Sequence, residues 1–156
     1  MYKKRLLSRI LNLALRQFPA VLLTGPRQSG KTTFLSHELA GRFSIVSFDD
    51  PLSRNFARQD PNGFLDQFKG KPVMLDEIQY VADILPYIKM RIDASRQDYG
   101  KWVLTGSQQF ALMQNISESL AGRIALLELL PFNQEELRHA FDKLADYVWT
   151  GSYPEP

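Results

Sequence analysis

Residues 20–33 run Ala20-Val21-Leu22-Leu23-Thr24-Gly25-Pro26-Arg27-Gln28-Ser29-Gly30-Lys31-Thr32-Thr33. A short apolar run is followed by G-x-x-x-x-G-K-T, the Walker A spacing of a phosphate-binding loop. Each fixed position has a physical job. Gly25 and Gly30 take backbone conformations that a side chain would block, and they let the main chain come close to phosphate oxygens. Pro26, Arg27, Gln28 and Ser29 form the loop between them. The chain then enters a helix at Lys31-Thr32-Thr33, and a helix N-terminus offers N–H groups and a favourable dipole to an anion. Lys31 reaches the β- and γ-phosphates of a nucleotide, and the Thr32 hydroxyl suits a magnesium ion.

Forty-five residues after Lys31, the run Val73-Met74-Leu75-Asp76-Glu77 ends an apolar segment in two acids. An aspartate at a strand tip is the Walker B pattern and a second magnesium contact. The neighbouring Glu77 suits the polarisation of an attacking water. Thr105-Gly106-Ser107 ends another apolar run, Trp102–Thr105. Either hydroxyl could sense the γ-phosphate, and Ser107 could equally cap the next helix. Asp49-Asp50-Pro51 reads as a turn or as a second acid near Glu77.

Outward from these motifs, short apolar runs alternate with helix-length segments. Ala20–Thr24, Ser44–Phe48, Pro72–Leu75, Trp102–Thr105 and Ile124–Leu130 read as strands. Several lack a strict period of two, as expected for strands covered on both faces. The segments between them suit crossover helices, so the pattern predicts an α/β fold with a mainly parallel five-stranded sheet. A first amphipathic helix is expected over Lys3–Phe18, within an N-terminal segment 1–19. Leu7, Ile10, Leu11, Ala14 and Phe18 form its apolar side, and Arg5, Arg9 and Arg16 face the other way. That basic face is either solvated or a contact for nucleic acid or for the nucleotide's outer edge. Further helices are expected over Leu85–Gln97, from Phe110, and over Leu137–Val148 behind an Asn133/Glu136 capping box. Two short helices are expected within Asp50–Gly70.

Composition bounds the function. The chain has 156 residues, 44% hydrophobic and 23% charged, which fits one globular domain spanning 1–156. There is no cysteine, so disulfides, thiolate nucleophiles and cysteine-based metal sites are excluded. The two histidines, His37 and His139, have no identifiable acid–base partner. The net charge of +2 is unevenly spread: residues 1–37 hold seven of the 19 Lys and Arg and none of the 17 acids. The longest stretch without a charged residue, Trp102–Ser117, is 16 residues and contains three glutamines and an asparagine, too short and too polar to span a membrane. The opening MYKKRLLSRILNLALRQF faintly imitates a targeting segment, but Arg9, Asn12 and Arg16 interrupt its apolar core. We read it as a structural helix of a cytoplasmic protein.

Taken together, GPRQSGKTT, VSFDDP, VMLDEIQYV, LTGSQQFALMQNISESLAGRIALLELLPF and GSYPEP resemble a group of bacterial and archaeal AAA+-like P-loop ATPases. The pairing of LDEIQ with LTGSQQF is more specific than the loop alone. The resemblance implies a three-layer α/β/α domain with strand order 5-1-4-3-2, ATP rather than GTP, and a C-terminal region beyond residues like Gly151–Pro156. It implies functional positions at Lys31, Thr32, Asp76, Glu77 and Arg123. Arg123, in Leu120-Ala121-Gly122-Arg123, stands where oligomeric ATPases of this type carry a finger that reaches a neighbouring subunit's nucleotide. A sensor contacting its own nucleotide, a structural ion pair and a solvated charge are the other readings. The expected function is magnesium-dependent ATP binding and hydrolysis, with a homo-oligomer as the associated assembly. Two alternatives are a small-molecule phosphotransferase and a nucleotide-gated DNA- or protein-binding module.

Overall fold

In the computed structural model, the described residues are 2–137 apart from 108, 109 and 134; the side chains of 110–112 and 117 are also left aside. The predicted helix over Leu137–Val148, His139 and the closing Gly151–Pro156 therefore lie outside the described residues, save Leu137 itself.

Five strands, β1 Ala20–Thr24, β2 Ser44–Ser47, β3 Val73–Asp76, β4 Trp102–Thr105 and β5 Ile124–Glu128, form one sheet in the order β2-β3-β4-β1-β5. Read from the other edge, this is 5-1-4-3-2, as expected from the resemblance. Every pairing is parallel. The central strands β1, β3 and β4 are buried along their whole length, which explains their unbroken apolar runs. The edge strands are partly exposed, and β5 ends two residues short of the expected Leu130.

Alternation along the strands feeds two cores. Val21, Leu23, Met74 and Val103 face α1 (Leu7–Gln17) and α2 (Lys31–Glu38), together with Leu11 and Phe34. Ala20, Leu22, Leu75 and Leu104 face the other layer. That layer comprises α3 (Pro51–Gln59), α4 (Pro61–Asp66), a 3-10 helix over Ile78–Ile84 kinked at Val81, α5 (Leu85–Ala94) and α6 (Phe110–Leu120). The molecule is thus a three-layer α/β/α sandwich.

Local chemistry sets the element ends. Asp50 caps α3: its carboxylate accepts from the Leu52 and Ser53 amides at 3.1 and 3.0 Å and from the Ser53 hydroxyl at 2.7 Å, with Pro51 in the first turn. These hydrogen bonds hold the Asp50 carboxyl below its ordinary range. Asp49-Asp50-Pro51 is therefore a helix start. Asn133 and Glu136 form the reciprocal capping box, with the Glu136 amide donating to Asn133 Oδ1 at 2.9 Å and the Asn133 amide to Glu136 Oε2 at 3.1 Å.

Three expectations about helices need correction. The first helix starts at Leu7, and Ile10 is 52% exposed rather than part of the core stripe; Ser8, Leu11, Ala14 and Leu15 are the buried set. Arg5 precedes the helix and is 5% exposed, so it does not belong to a solvated face with Arg9 and Arg16. α5 stops at Ala94, before the expected Gln97.

Candidate nucleotide site

Parallel pairing puts the C-terminal tips of the strands on one edge. Thr24 is level with Glu128, Leu23 with Thr105, and Ser47 with Asp76. The loop Gly25–Gly30 leaves β1 at that edge and enters α2. Gly25 has φ +146°, and a Cβ there would lie 2.2 Å from the Leu129 carbonyl oxygen, so only glycine fits. Gly30 precedes the helix at φ +86°. Gln28 also takes a positive φ, 63°, where a side chain is disfavoured. Arg27, Gln28, Thr32 and Thr33 are exposed, whereas Ser29 and Lys31 are buried.

The Lys31 ammonium donates to the carbonyls of Gly25 and Pro26, at 3.1 and 2.8 Å. Burial pushes its pKa below that of an ordinary lysine, while Glu77 and Asp76 pull it back up and Arg27 adds to the lowering.

One carboxylate joins three elements. Asp76, at the tip of β3, accepts from the Thr32 hydroxyl on α2 at 3.0 and 3.2 Å and from the Thr105 hydroxyl at the tip of β4. Thr105 Oγ1 also accepts the Glu77 amide at 3.1 Å. Asp76 and Thr105 are 4% and 0% exposed, so their side of the network is buried, while Thr32 keeps it open to solvent at the loop. Glu77 follows at φ 58°, ψ 47°, a left-handed conformation that is costly for glutamate and found where surrounding structure enforces it. Its carboxylate accepts from the Gln79 side-chain amide. Gln79 went unnoticed in the sequence, although it sits in the same LDEIQ stretch.

Ser29 Oγ and Ser107 Oγ are buried without a hydrogen-bond partner. Buried hydroxyls seldom go unpaired; Ser107 is partly exposed as a residue and suits a ligand's acceptor oxygen, whereas Ser29 is wholly buried. The predicted Ser107 cap on α6 is not observed. Thr105 is committed to Asp76 and the Glu77 amide, whereas the Ser107 hydroxyl has no hydrogen-bond partner. Among the described residues no cluster of three or more His, Cys, Asp or Glu side chains could hold a metal alone. Magnesium does not need one, since it is usually bound by one or two protein oxygens with phosphates and water completing the shell. The adjoining Thr32 hydroxyl and Asp76 carboxylate fit that requirement.

Arg123 lies elsewhere. Its carbonyl accepts the Ala20 amide at 3.3 Å, so it sits where β5 begins, at the opposite edge of the sheet from the loop. At roughly 3.3 Å per residue, the five-residue strand puts about 15 Å between it and its own loop. Its guanidinium pairs with Asp93 of α5, at 2.7 Å from Nε and 3.1 Å from Nη2. That contact holds the Asp93 carboxyl below its ordinary range.

A parallel sheet in this order, with a glycine-flanked loop from β1 and an acid at the β3 tip, defines a P-loop nucleotide-binding domain. Residues 17–138 match the model of the AAA domain family, and the chain belongs to that family. Uncharacterised proteins of Mycobacterium tuberculosis and Mycobacterium bovis are each 34% identical over 140 residues, covering 89% of this chain and 30% of theirs. The chain thus spans about a third of the length of these curated relatives. Among solved structures, a Walker-type ATPase of Pyrococcus abyssi superposes with TM-score 0.61 at 18% identity, covering 95% of this chain and 61% of that one. DnaA of Aquifex aeolicus bound to AMPPCP superposes with TM-score 0.60 at 17% identity, covering 96% and 56%. These likenesses establish the shared fold.

Proposed function

We propose that this domain binds ATP with magnesium and hydrolyses it. The observation that carries the reading is the Thr32–Asp76–Thr105 network. It gathers the start of α2, the tip of β3 and the tip of β4 around one carboxylate beside the phosphate loop. Magnesium held by Thr32 and Asp76 would neutralise charge on the β- and γ-phosphates.

The chain's own groups supply the rest. Backbone N–H groups of the loop after Pro26 and of the first turn of α2 surround the phosphates. Lys31 exchanges the Gly25 and Pro26 carbonyls for phosphate oxygens. Gln79 and the left-handed turn aim the Glu77 carboxylate, which takes a proton from water as the water oxygen bonds the γ-phosphorus. The bond from that phosphorus to the β,γ-bridging oxygen breaks, and ADP leaves with the electron pair. Ser107 is the sensor we favour for the γ-phosphate, because its hydroxyl is uncommitted.

Arg123 cannot reach its own nucleotide, so any part it plays in hydrolysis is in trans, within a homo-oligomer. A cytoplasmic setting fits this reading, and no helix among the described residues is long and apolar enough to cross a membrane.

Titration calorimetry with magnesium and ATP tests the binding step. Lys31→Ala should weaken affinity by at least tenfold, and unchanged affinity would remove the assignment. Free phosphate released without any added acceptor separates hydrolysis from phosphotransfer.

A further inference from the structure

The geometry points to Arg5 as a positioning residue of the nucleotide site, one that aims the phosphate loop and ties it to the chain leaving β5. The inference rests on the proposed ATP site and adds a residue to it from outside both nucleotide motifs.

Arg5 is 5% exposed, and a buried guanidinium is stable only when its donors are matched. Its fork serves three separate parts of the chain. Nη1 donates to the Ser29 carbonyl of the phosphate loop at 3.2 Å. Nη2 donates to the Leu130 carbonyl just past β5. Nε donates to Glu136 Oε1 at 3.1 Å, and the guanidinium lies 4.2 Å from the centre of the Phe132 ring. Glu136 in turn accepts the Leu6 amide at 2.8 Å, which fixes the segment carrying Arg5.

The grip on Ser29 matters because peptides are planar and trans. The Ser29 carbonyl and the Gly30 N–H belong to one peptide unit and point in opposite directions. Holding that oxygen therefore aims the Gly30 N–H, one of the groups at the N-terminus of α2 that would meet a phosphate. A charged donor on the carbonyl also polarises the peptide and strengthens its N–H as a donor. The base of the same loop rests on the same downstream segment. Gly25 packs against the Leu129 carbonyl, and the Leu129 amide donates to Thr24 at 2.8 Å. Both ends of the loop are thus referred to residues 129–136, the stretch that leads out of β5. A loop that adjusts to phosphate must move against Arg5, and the movement is passed to that stretch. Lysine offers a point charge rather than a fork and cannot serve three acceptors with the same geometry.

The experiment measures ATP affinity by calorimetry, and amide hydrogen exchange over residues 129–137 with and without ATP, on the whole chain. We expect the parent to gain protection there when ATP binds. Arg5→Lys should remain folded, bind ATP about tenfold more weakly and lose the nucleotide-dependent protection. Glu136→Gln, which keeps the size and an acceptor but not the charge, should also lose the protection with a smaller change in affinity. If Arg5→Lys does not fold, Glu136→Gln carries the same test. A folded variant with parental affinity and parental protection would make Arg5 a mere staple and overturn the proposal. A parent that binds no ATP would defeat the functional reading itself. A parent that binds ATP without protection at 129–137 would defeat only the coupling.

Discussion

Lys31 and Glu77 are the residues at which the proposed chemistry is most exposed to test. The Lys31 ammonium must be charged to hold phosphate, and burial lowers its pKa from the ordinary 10.5. The sign follows: affinity is full below the lowered pKa and is lost as the pH rises through it. A plot of log Kd against pH should therefore bend at a lower pH than an unperturbed lysine would give. Lys31→Arg, which stays charged, should remove the bend even if it weakens binding overall. Glu77→Gln should keep ATP affinity within a few-fold and lower turnover by about a hundredfold or more, the usual range for a lost general base. Gln79→Ala should lower turnover less, with affinity again retained, since Gln79 acts only through Glu77. Phosphate-release kinetics beside calorimetry distinguish these outcomes. Lys31, Thr32, Asp76 and Glu77 were legible in the sequence because their motifs are contiguous. Arg5 was legible only as part of a face with Arg9 and Arg16, solvated or touching a ligand, and the placement of Leu130, Phe132 and Glu136 shows that it turns inward away from them.

At the level of elements, the connections that seat α1 and β4 are held by a turn with no role in chemistry. Gly100 has φ +66°, and a Cβ there would lie 2.5 Å from the Leu15 carbonyl oxygen. Its amide donates to the Phe18 carbonyl at 2.8 Å, joining the end of α1 to the start of β4. Gly100→Ala should destabilise the domain by about 1–3 kcal/mol, the usual cost of an enforced backbone strain or core clash. Urea denaturation measures the loss. ATP affinity per folded molecule should stay near the parent's, because the turn lies at the edge away from the loop. The interiors of the elements were readable from apolar runs and period. Their ends were not: α1 begins at Leu7, α5 ends at Ala94 and β5 ends at Glu128, each short of where the apolar pattern runs out.

Across the whole molecule, Arg123 and the phosphate loop occupy opposite edges of the sheet. This geometry makes the Arg123–Asp93 pair a discriminating probe. If Arg123 serves a neighbouring subunit, Arg123→Ala should bind ATP normally and hydrolyse it slowly. Mixing it with Glu77→Gln should then restore part of the rate, since each chain supplies what the other lacks. Asp93→Asn, which releases the guanidinium, should leave turnover intact or raise it. Equal losses of thermal stability in Arg123→Ala and Asp93→Asn, with turnover per folded molecule unchanged and no rescue on mixing, would reduce the pair to a structural contact. Turnover followed against protein concentration, with particle mass measured alongside, reads both cases.

The sequence alone determined the α/β class, the phosphate loop and the acid pair, because these depend on local order: apolar runs, glycines at fixed spacing and acids at a strand tip. Resemblance added the order of the strands, which the parallel sheet then displayed. Tertiary structure alone decided that the Thr32 and Thr105 hydroxyls meet at Asp76, that Gln79 holds Glu77, that Arg5 grips the loop, and that Arg123 sits at the far end of the sheet from that loop. Each of those facts joins residues from different elements. Their distances are fixed by how the layers pack, not by how far apart they stand along the chain.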